Sequence, residues 1–193
     1  MKQTYLNLAQ AYVGESQARN RYTFYASIAR KEGYEQLAEV FTVTAAQEKE
    51  HASNLFKLID KLHHAEEGLD TLVLSNVEVP NVRGTTIQNL TASIKGETHE
   101  FTEMYPSFAD VADDEGYPAI AEKMRAIAKA EENHADIFSQ FLKLLKSDTF
   151  FKRTKPQNWV CRECGYLHQG TQPPQSCPSC EHPPSYYELK RSY

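Results

Sequence analysis

The sequence holds two sets of residues whose types and spacing can do metal chemistry. The first is Glu-x-x-His, which occurs twice, as Glu48/His51 and Glu131/His134, together with Glu15 and Glu97, each preceded by glycine. Residues three apart share a helix face, so each Glu-x-x-His aims a carboxylate and an imidazole the same way. The second set is a pair of Cys-x-x-Cys knuckles, Cys161/Cys164 and Cys177/Cys180. Four thiols at that spacing can close around one ion as a tetrahedral site.

The elements that must position the first set are helices. Mostly apolar residues recur at steps of three and four in Leu8, Ala11, Glu15, Ala18, Tyr22, Tyr25, Ala29 and in Leu37, Phe41, Thr44, Glu48, His51, Leu55, Leu58, Leu62. They do so again in Ile87, Leu90, Ile94, Glu97, then after a skip Tyr105, Phe108, Ala112, and in Ile120, Met124, Ile127, Glu131, His134, Phe138, Phe141, Leu145. Each stripe buries one helix face. Glu15, Glu48 with His51, Glu97, and Glu131 with His134 fall inside these four stripes, not beside them. Gly33 and Gly116 end the first and third segments, and short connections there make antiparallel neighbours. Glu67 to Gly84 has no helical stripe, contains Pro80 and is long enough to cross a bundle.

An internal repeat runs beneath the stripes. Gly14-Glu15 matches Gly96-Glu97 at an offset of 82, whereas Glu32-Gly33-Tyr34 matches Glu115-Gly116-Tyr117, and Glu48/His51 matches Glu131/His134, at an offset of 83. Two like hairpins imply an all-α, pseudo-twofold four-helix bundle. Tyr22 and Tyr105 also differ by 83, so the third helix holds one extra residue between Glu97 and Tyr105. If both tyrosines face the site, that residue must be absorbed inside the helix, and a one-turn π-bulge between Glu97 and Tyr105 is the natural device.

Ionised carboxylates are costly to bury without partners. Four of them on converging seams would repel one another, and two divalent or trivalent ions remove the difficulty. Carboxylate and imidazole without thiolate favour iron or manganese. A lone Glu from two helices and Glu-x-x-His from the other two is the constellation of di-iron carboxylate bundles. Tyr22 and Tyr105 are either core tyrosines or donors that hold ligand carboxylates, and both can hold at once. Glu100, three residues after Glu97, is either an extra ligand or a surface charge, and its repeat counterpart is Ala18. Glu50 and Glu132 lie off the stripes and are expected on the outer face. His63, His64, His99, His168 and His182 are assigned to no metal.

Composition divides the chain. Residues 1–147 hold 15 basic and 22 acidic residues, three prolines and no cysteine. Residues 148–193 hold 6 basic and 4 acidic residues, six prolines and all four cysteines. The expected organisation is a bundle over 1–147, a linker over 148–157 and a four-cysteine module over 158–193. So small a module has little core without its ion, and Trp159, Tyr166, Tyr186 and Tyr187 are expected to supply what core it has. Spacing alone leaves the tail ion open between zinc and iron.

The net charge of −5 argues against a nucleic-acid binder. No run approaches the roughly 18 apolar residues of a membrane span, and the first residues lack the apolar core of a signal peptide. A cytoplasmic protein is therefore expected, in which cysteines serve as metal ligands more readily than as disulfides.

The combination resembles the rubrerythrin family over nearly the whole chain. The resemblance rests on Gly14-Glu15-Ser16 with Ala18-Arg19-Asn20-Arg21-Tyr22, on Glu48-Lys49-Glu50-His51, and on Gly96-Glu97 with Glu100 and Met104-Tyr105-Pro106. Glu131-x-x-His134 and the tail Cys-x-x-Cys-Gly-Tyr with Cys-Pro-x-Cys complete it. It implies a ferritin-like di-iron bundle and a rubredoxin-like iron–tetrathiolate domain. It favours iron over zinc at Cys161, Cys164, Cys177 and Cys180, and makes Glu100 a di-iron ligand. It also implies that one iron moves between His51 and Glu100 with oxidation state. The implied activity is reduction of hydrogen peroxide to water, with electrons from rubredoxin or a pyridine-nucleotide-dependent reductase passing through the tail. The implied assembly is a head-to-tail homodimer. Two rival functions remain: ferritin-like iron oxidation and storage, which needs no electron inlet, and a zinc-ribbon binding protein, which needs no buried carboxylates.

Overall fold

The computed structural model describes residues 2–65, 70–75 and 77–191. Helix α1 spans Gln3–Lys31 and α2 spans Glu35–Ala65. Then α3 covers Thr86–His99, a π-helical turn covers Glu100–Met104, α4 covers Tyr105–Asp114 and α5 covers Pro118–Lys146. Three short strands follow: β1 (Gln157–Cys161), β2 (Leu167–Gly170) and β3 (Tyr187–Leu189). They form one antiparallel sheet in the order β2-β1-β3. The bundle is thus α1, α2, the α3–π–α4 rod and α5, with a small sheet after it. Of the expected crossing segment, residues 67–69 and 76 lie outside the described residues, and its described part has no regular structure before α3.

The two hairpins are built alike. Gly33 (φ 82°) and Gly116 (φ 85°) adopt the left-handed conformation that favours glycine. At both turns the next N–H reaches back five residues, Tyr34 to the Ala29 carbonyl at 2.9 Å and Tyr117 to the Ala112 carbonyl at 2.7 Å. Each turn also caps the other hairpin. The Glu115 carboxylate accepts the N–H groups of Gln3 and Thr4, both at 2.8 Å. The Glu32 carboxylate accepts the N–H of Thr86 at 3.1 Å. Unpaired N–H groups at a helix start favour an acceptor and a negative charge. The two glutamates therefore lock the start of α1 to the turn before α5, and the start of α3 to the turn after α1.

The apolar core is split in two. One half gathers Tyr5, Leu8, Leu55, Tyr105, Ala112, Met124 and Ile127. The other gathers Tyr22, Tyr25, Leu37, Phe41, Leu90, Phe138 and Phe150. Between them along the helices lies a layer of Glu15, Glu48, Glu97, Glu131 and His134, all almost fully buried. The halves supply the stability that lets a charged layer persist at mid-bundle.

Two expectations about packing fail locally. Ile87 is exposed, while Thr86 and Asn89 are buried in its place. The first turn of α3 is rotated by polar contacts: Thr85 and Gln88 form a capping box, and the Asn89 amide pairs with the backbone of Gly84. In the tail, Trp159, Tyr187, Cys161 and Cys177 form the small core, with Tyr186 and Leu189 packed on it, but Tyr166 is exposed. It sits in the turn between β1 and β2, where no element covers it. Phe150, in the expected linker, packs into the second bundle core beside Tyr34 and Phe141.

Candidate metal centre

The four seams bring their charged residues into one cluster. His51 Nδ1 lies 2.9 Å from Glu131 Oε1, 3.1 Å from Glu48 Oε2 and 3.7 Å from Glu15 Oε2. His134 Nδ1 lies 2.7 Å from Glu131 Oε2, 3.1 Å from Glu48 Oε1 and 3.5 Å from Glu97 Oε2. Two overlapping ligand sets result. One is Glu15, Glu48, His51 and Glu131; the other is Glu48, Glu97, Glu131 and His134, with the candidate ligand atoms of each set within 4.8 Å of one another. Glu48 and Glu131 belong to both and give one oxygen to each side. Glu15 and Glu97 are terminal, one to each set.

The tyrosines complete the symmetry crosswise. Tyr105 donates its hydroxyl to Glu15 Oε1, and Tyr22 donates to Glu97 Oε1. Each uses one oxygen of a terminal carboxylate and leaves Oε2 for the imidazole side. Tyr105 comes from one apolar half of the core and Tyr22 from the other, so the donors clamp the layer from opposite ends.

The expected bulge is the π turn at Glu100–Met104, in which the Tyr105 N–H reaches the Glu100 carbonyl. Helix α1 is α-helical throughout, so the interval from Glu15 to Tyr22 has no counterpart. Eight residues in α3–π–α4 thus cover the same two turns that seven cover in α1, and Tyr105 still meets the site. Pro106 follows, where its missing N–H suits the broken ladder. Glu100 is half-buried on the bulge and lies outside both close sets. Burial pushes its carboxyl up, and the nearby charges of Glu97, Glu15 and Glu131 add to this.

The electrostatics of the ion-free cluster show what it is built to receive. Burial pushes Glu15 well above the usual carboxylate range, and lifts Glu97 to about 7. Burial would also raise Glu48, but its contacts with His134 and His51 bring it down to about 2. Burial alone would lower both imidazoles, yet the surrounding carboxylates hold them at about 12. Glu15 Oε2, Glu48 Oε1, Glu97 Oε2, both oxygens of Glu131 and His134 Nδ1 are buried, and their close approaches to one another lack hydrogen-bond geometry. All six atoms belong to the two ligand sets. Buried polar atoms nearly always have partners, and two cations would satisfy every one of these.

One participant was missed in the sequence. Gln47, on α2, presents Oε1 at 3.0 Å from His134 Nε2. Its only signal was a polar side chain beside Glu48 whose repeat counterpart is Ala130. Of the remaining histidines, His99 pairs with Glu103 at 3.4 Å, exposed, and His63 and His64 lie in the last turn of α2.

The second site is equally complete. Cys161 and Cys180 sulfurs lie 3.6 Å apart, as do those of Cys164 and Cys177. That excludes disulfides, whose sulfurs are about 2.05 Å apart. It matches the edge of about 3.8 Å that bonds of about 2.3 Å to one tetrahedral ion produce. The knuckles are near copies. Gly165 (φ 77°) sends its N–H to the Cys161 carbonyl at 2.8 Å, and Glu181 (φ 63°) sends its own to Cys177 at 2.9 Å. Burial would raise the Cys177 thiol, but Tyr187 and the backbone N–H groups of Ser179 and Cys180 bring it to about 6. Cys161 and Cys177 are buried, while Cys164 is exposed beside Tyr166 and Leu167.

Comparison with known proteins agrees with both sites. The sequence model of the rubrerythrin family matches residues 7–142, and that of the rubrerythrin rubredoxin-like domain matches residues 159–188. The chain belongs to the rubrerythrin family. A protein of Methanocaldococcus jannaschii assigned to the rubrerythrins is 52% identical, over 98% of this chain and 94% of that one. The rubrerythrin of Nitratidesulfovibrio vulgaris is 44% identical, over 95% and 92% respectively. Among solved structures, fully reduced, all-ferrous nigerythrin superposes with a TM-score of 0.64 at 27% identity, covering 98% of this chain and 88% of its own. Rubrerythrins are oxidoreductases with a di-iron site in the bundle and an iron–tetrathiolate in the tail. Two iron ions therefore belong in this bundle and one in its four-cysteine site. No helix among the described residues is long and apolar enough to cross a membrane.

Proposed function

We propose that this rubrerythrin is a non-haem di-iron peroxidase that reduces hydrogen peroxide to water. The observation that carries this reading is the pair of overlapping ligand sets sharing Glu48 and Glu131, in one chain with a four-cysteine site. In it, Glu15, Glu48, Glu131 and His51 hold one iron, and Glu97, Glu48, Glu131 and His134 hold the other. Glu100 joins from the π turn, and Cys161, Cys164, Cys177 and Cys180 hold the third. Iron held as a ferrous pair by these residues would supply the two electrons that, with two protons, take one hydrogen peroxide to two waters.

The protein's own part is placement. Glu48 and Glu131 fix the spacing of the two positions, and Tyr22 and Tyr105 keep the terminal carboxylates in one orientation. The apolar halves on either side exclude water. Exposed Cys164 offers an edge for electron entry from rubredoxin or a pyridine-nucleotide-dependent reductase. Arg162, next to Cys161, pairs with Glu39 of α2 at 2.7 Å, nine residues before Glu48. That is about 13.5 Å along the helix.

The functional modules are 1–147 and 158–193, joined by 148–157, and the setting is the cytoplasm. The active assembly is a head-to-tail homodimer, which the exposed Phe24, Val43 and Phe56 on α1 and α2 support. Stopped-flow mixing tests the reaction. Reduced protein is expected to consume hydrogen peroxide faster than dioxygen. The Cys161→Ser variant is expected to keep one turnover when reduced chemically and to lose steady-state turnover with an external reductase. Faster reaction with dioxygen, and iron retained as a growing ferric store, would favour the storage function.

A further inference from the structure

The two imidazoles of the bundle are related by the internal repeat but are held differently. His134 has its side chain 3% exposed, and its Nε2 meets Gln47 Oε1 at 3.0 Å. An amide oxygen can only accept, so Nε2 carries a hydrogen, and Nδ1, which faces Glu48, Glu97 and Glu131, is the nitrogen left for an ion. His51 has its side chain 15% exposed, and among the described residues its Nε2 has no hydrogen-bond partner. The repeat offset of 83 explains the difference, because it maps Gln47 onto Ala130. A methyl group accepts nothing. The asymmetry between the imidazoles is thus written into the sequence at one position.

We propose that Gln47 is a positioning residue: it fixes the ring orientation and proton location of His134, and so makes the Glu48/Glu97/Glu131/His134 position the tighter of the two bundle metal positions. A ligating histidine ordinarily donates its second N–H to an acceptor, and loss of that acceptor weakens metal binding about ten- to hundredfold. Here one histidine has the acceptor and its twin lacks it. The inference rests on the two ligand sets assigned above.

Cobalt(II) titration of the metal-free full-length protein tests it without turnover. Calorimetry follows the two bundle steps, and cobalt-edge anomalous diffraction gives the occupancy of each position. The intense thiolate-to-cobalt absorption of the four-cysteine site serves as an internal control. Gln47→Leu is expected to weaken the His134 position about ten- to hundredfold, leaving the His51 position and the thiolate band unchanged. Gln47→Glu, which still accepts from Nε2, is expected to restore binding, and Ala130→Gln to tighten the His51 position. Equal weakening of both positions by Gln47→Leu, or none, would overturn the proposal. If Gln47→Leu loses its helical circular dichroism, Ala130→Gln decides: unchanged binding at His51 would overturn the proposal. A wild-type bundle that takes up fewer than two cobalt ions would instead overturn the ligand assignment.

Discussion

The two metal sites of this chain solve the same problem with opposite resources. The bundle site sits between two apolar halves contributed by four long helices. Those halves enclose the carboxylates from both ends. The tail site sits on two backbone knuckles with a core of little more than Trp159, Tyr187 and two of its own ligands. There the ion is part of the core. A charged layer can be buried at mid-bundle because the fold is stabilised elsewhere, whereas in the tail the fold and the ion are one equilibrium.

The largest separation between the sites is expected on removing metal. Chelation should unfold residues 158–191, seen as loss of protected amides in hydrogen exchange, while the helical signal of the bundle persists. Simultaneous collapse of both would show that the bundle, too, depends on its ions.

Within the bundle, shared and terminal carboxylates should differ. Glu131→Ala removes an oxygen from both ligand sets and is expected to abolish binding of both ions. Glu97→Ala touches one set and is expected to spare the ion at His51. Metal analysis after desalting distinguishes the two, and equal losses would contradict the shared role of Glu131.

Proton release sharpens the same contrast. In the ion-free bundle, Glu15 is raised by burial, Glu97 lies at about 7, and both imidazoles lie at about 12. These groups carry protons near neutrality that ligation must displace. Loading the bundle near pH 7 is therefore expected to release protons and to strengthen as pH rises, measurable with an indicator dye in weak buffer. Loading without proton release would mean the cluster is already ionised.

The smallest effect belongs to the tail. Glu181 occupies the left-handed position that Gly165 fills in the first knuckle. A non-glycine residue there costs about 1 kcal/mol. Glu181→Gly is expected to stabilise the loaded tail by about that much in thermal unfolding, with no effect on the bundle.

Much of this was legible in the sequence because helical spacing is arithmetic. The stripes placed Glu15, Glu48, Glu97 and Glu131 on facing seams. The change of offset from 82 to 83 located the π turn that Glu100–Met104 forms. Contacts between distant residues were not legible. Glu115 caps α1 across more than a hundred residues, and nothing local marks it. Spacing paired Glu48 with His51 and Glu131 with His134, but could not show that each glutamate serves both imidazoles. Apolar periodicity misplaced Ile87 because a polar capping network, not an apolar contact, orients the first turn of α3.

The central claim is that the buried layer is a two-iron site in a chain carrying a third iron in its tail. Anomalous diffraction at the iron edge from protein loaded anaerobically with ferrous ion tests it directly. The expected map has three peaks per chain: one among the four cysteine sulfurs and two flanking the carboxylates of Glu48 and Glu131, one toward His51 and one toward His134. A single peak in the bundle, or none with the carboxylates turned to solvent, would contradict it.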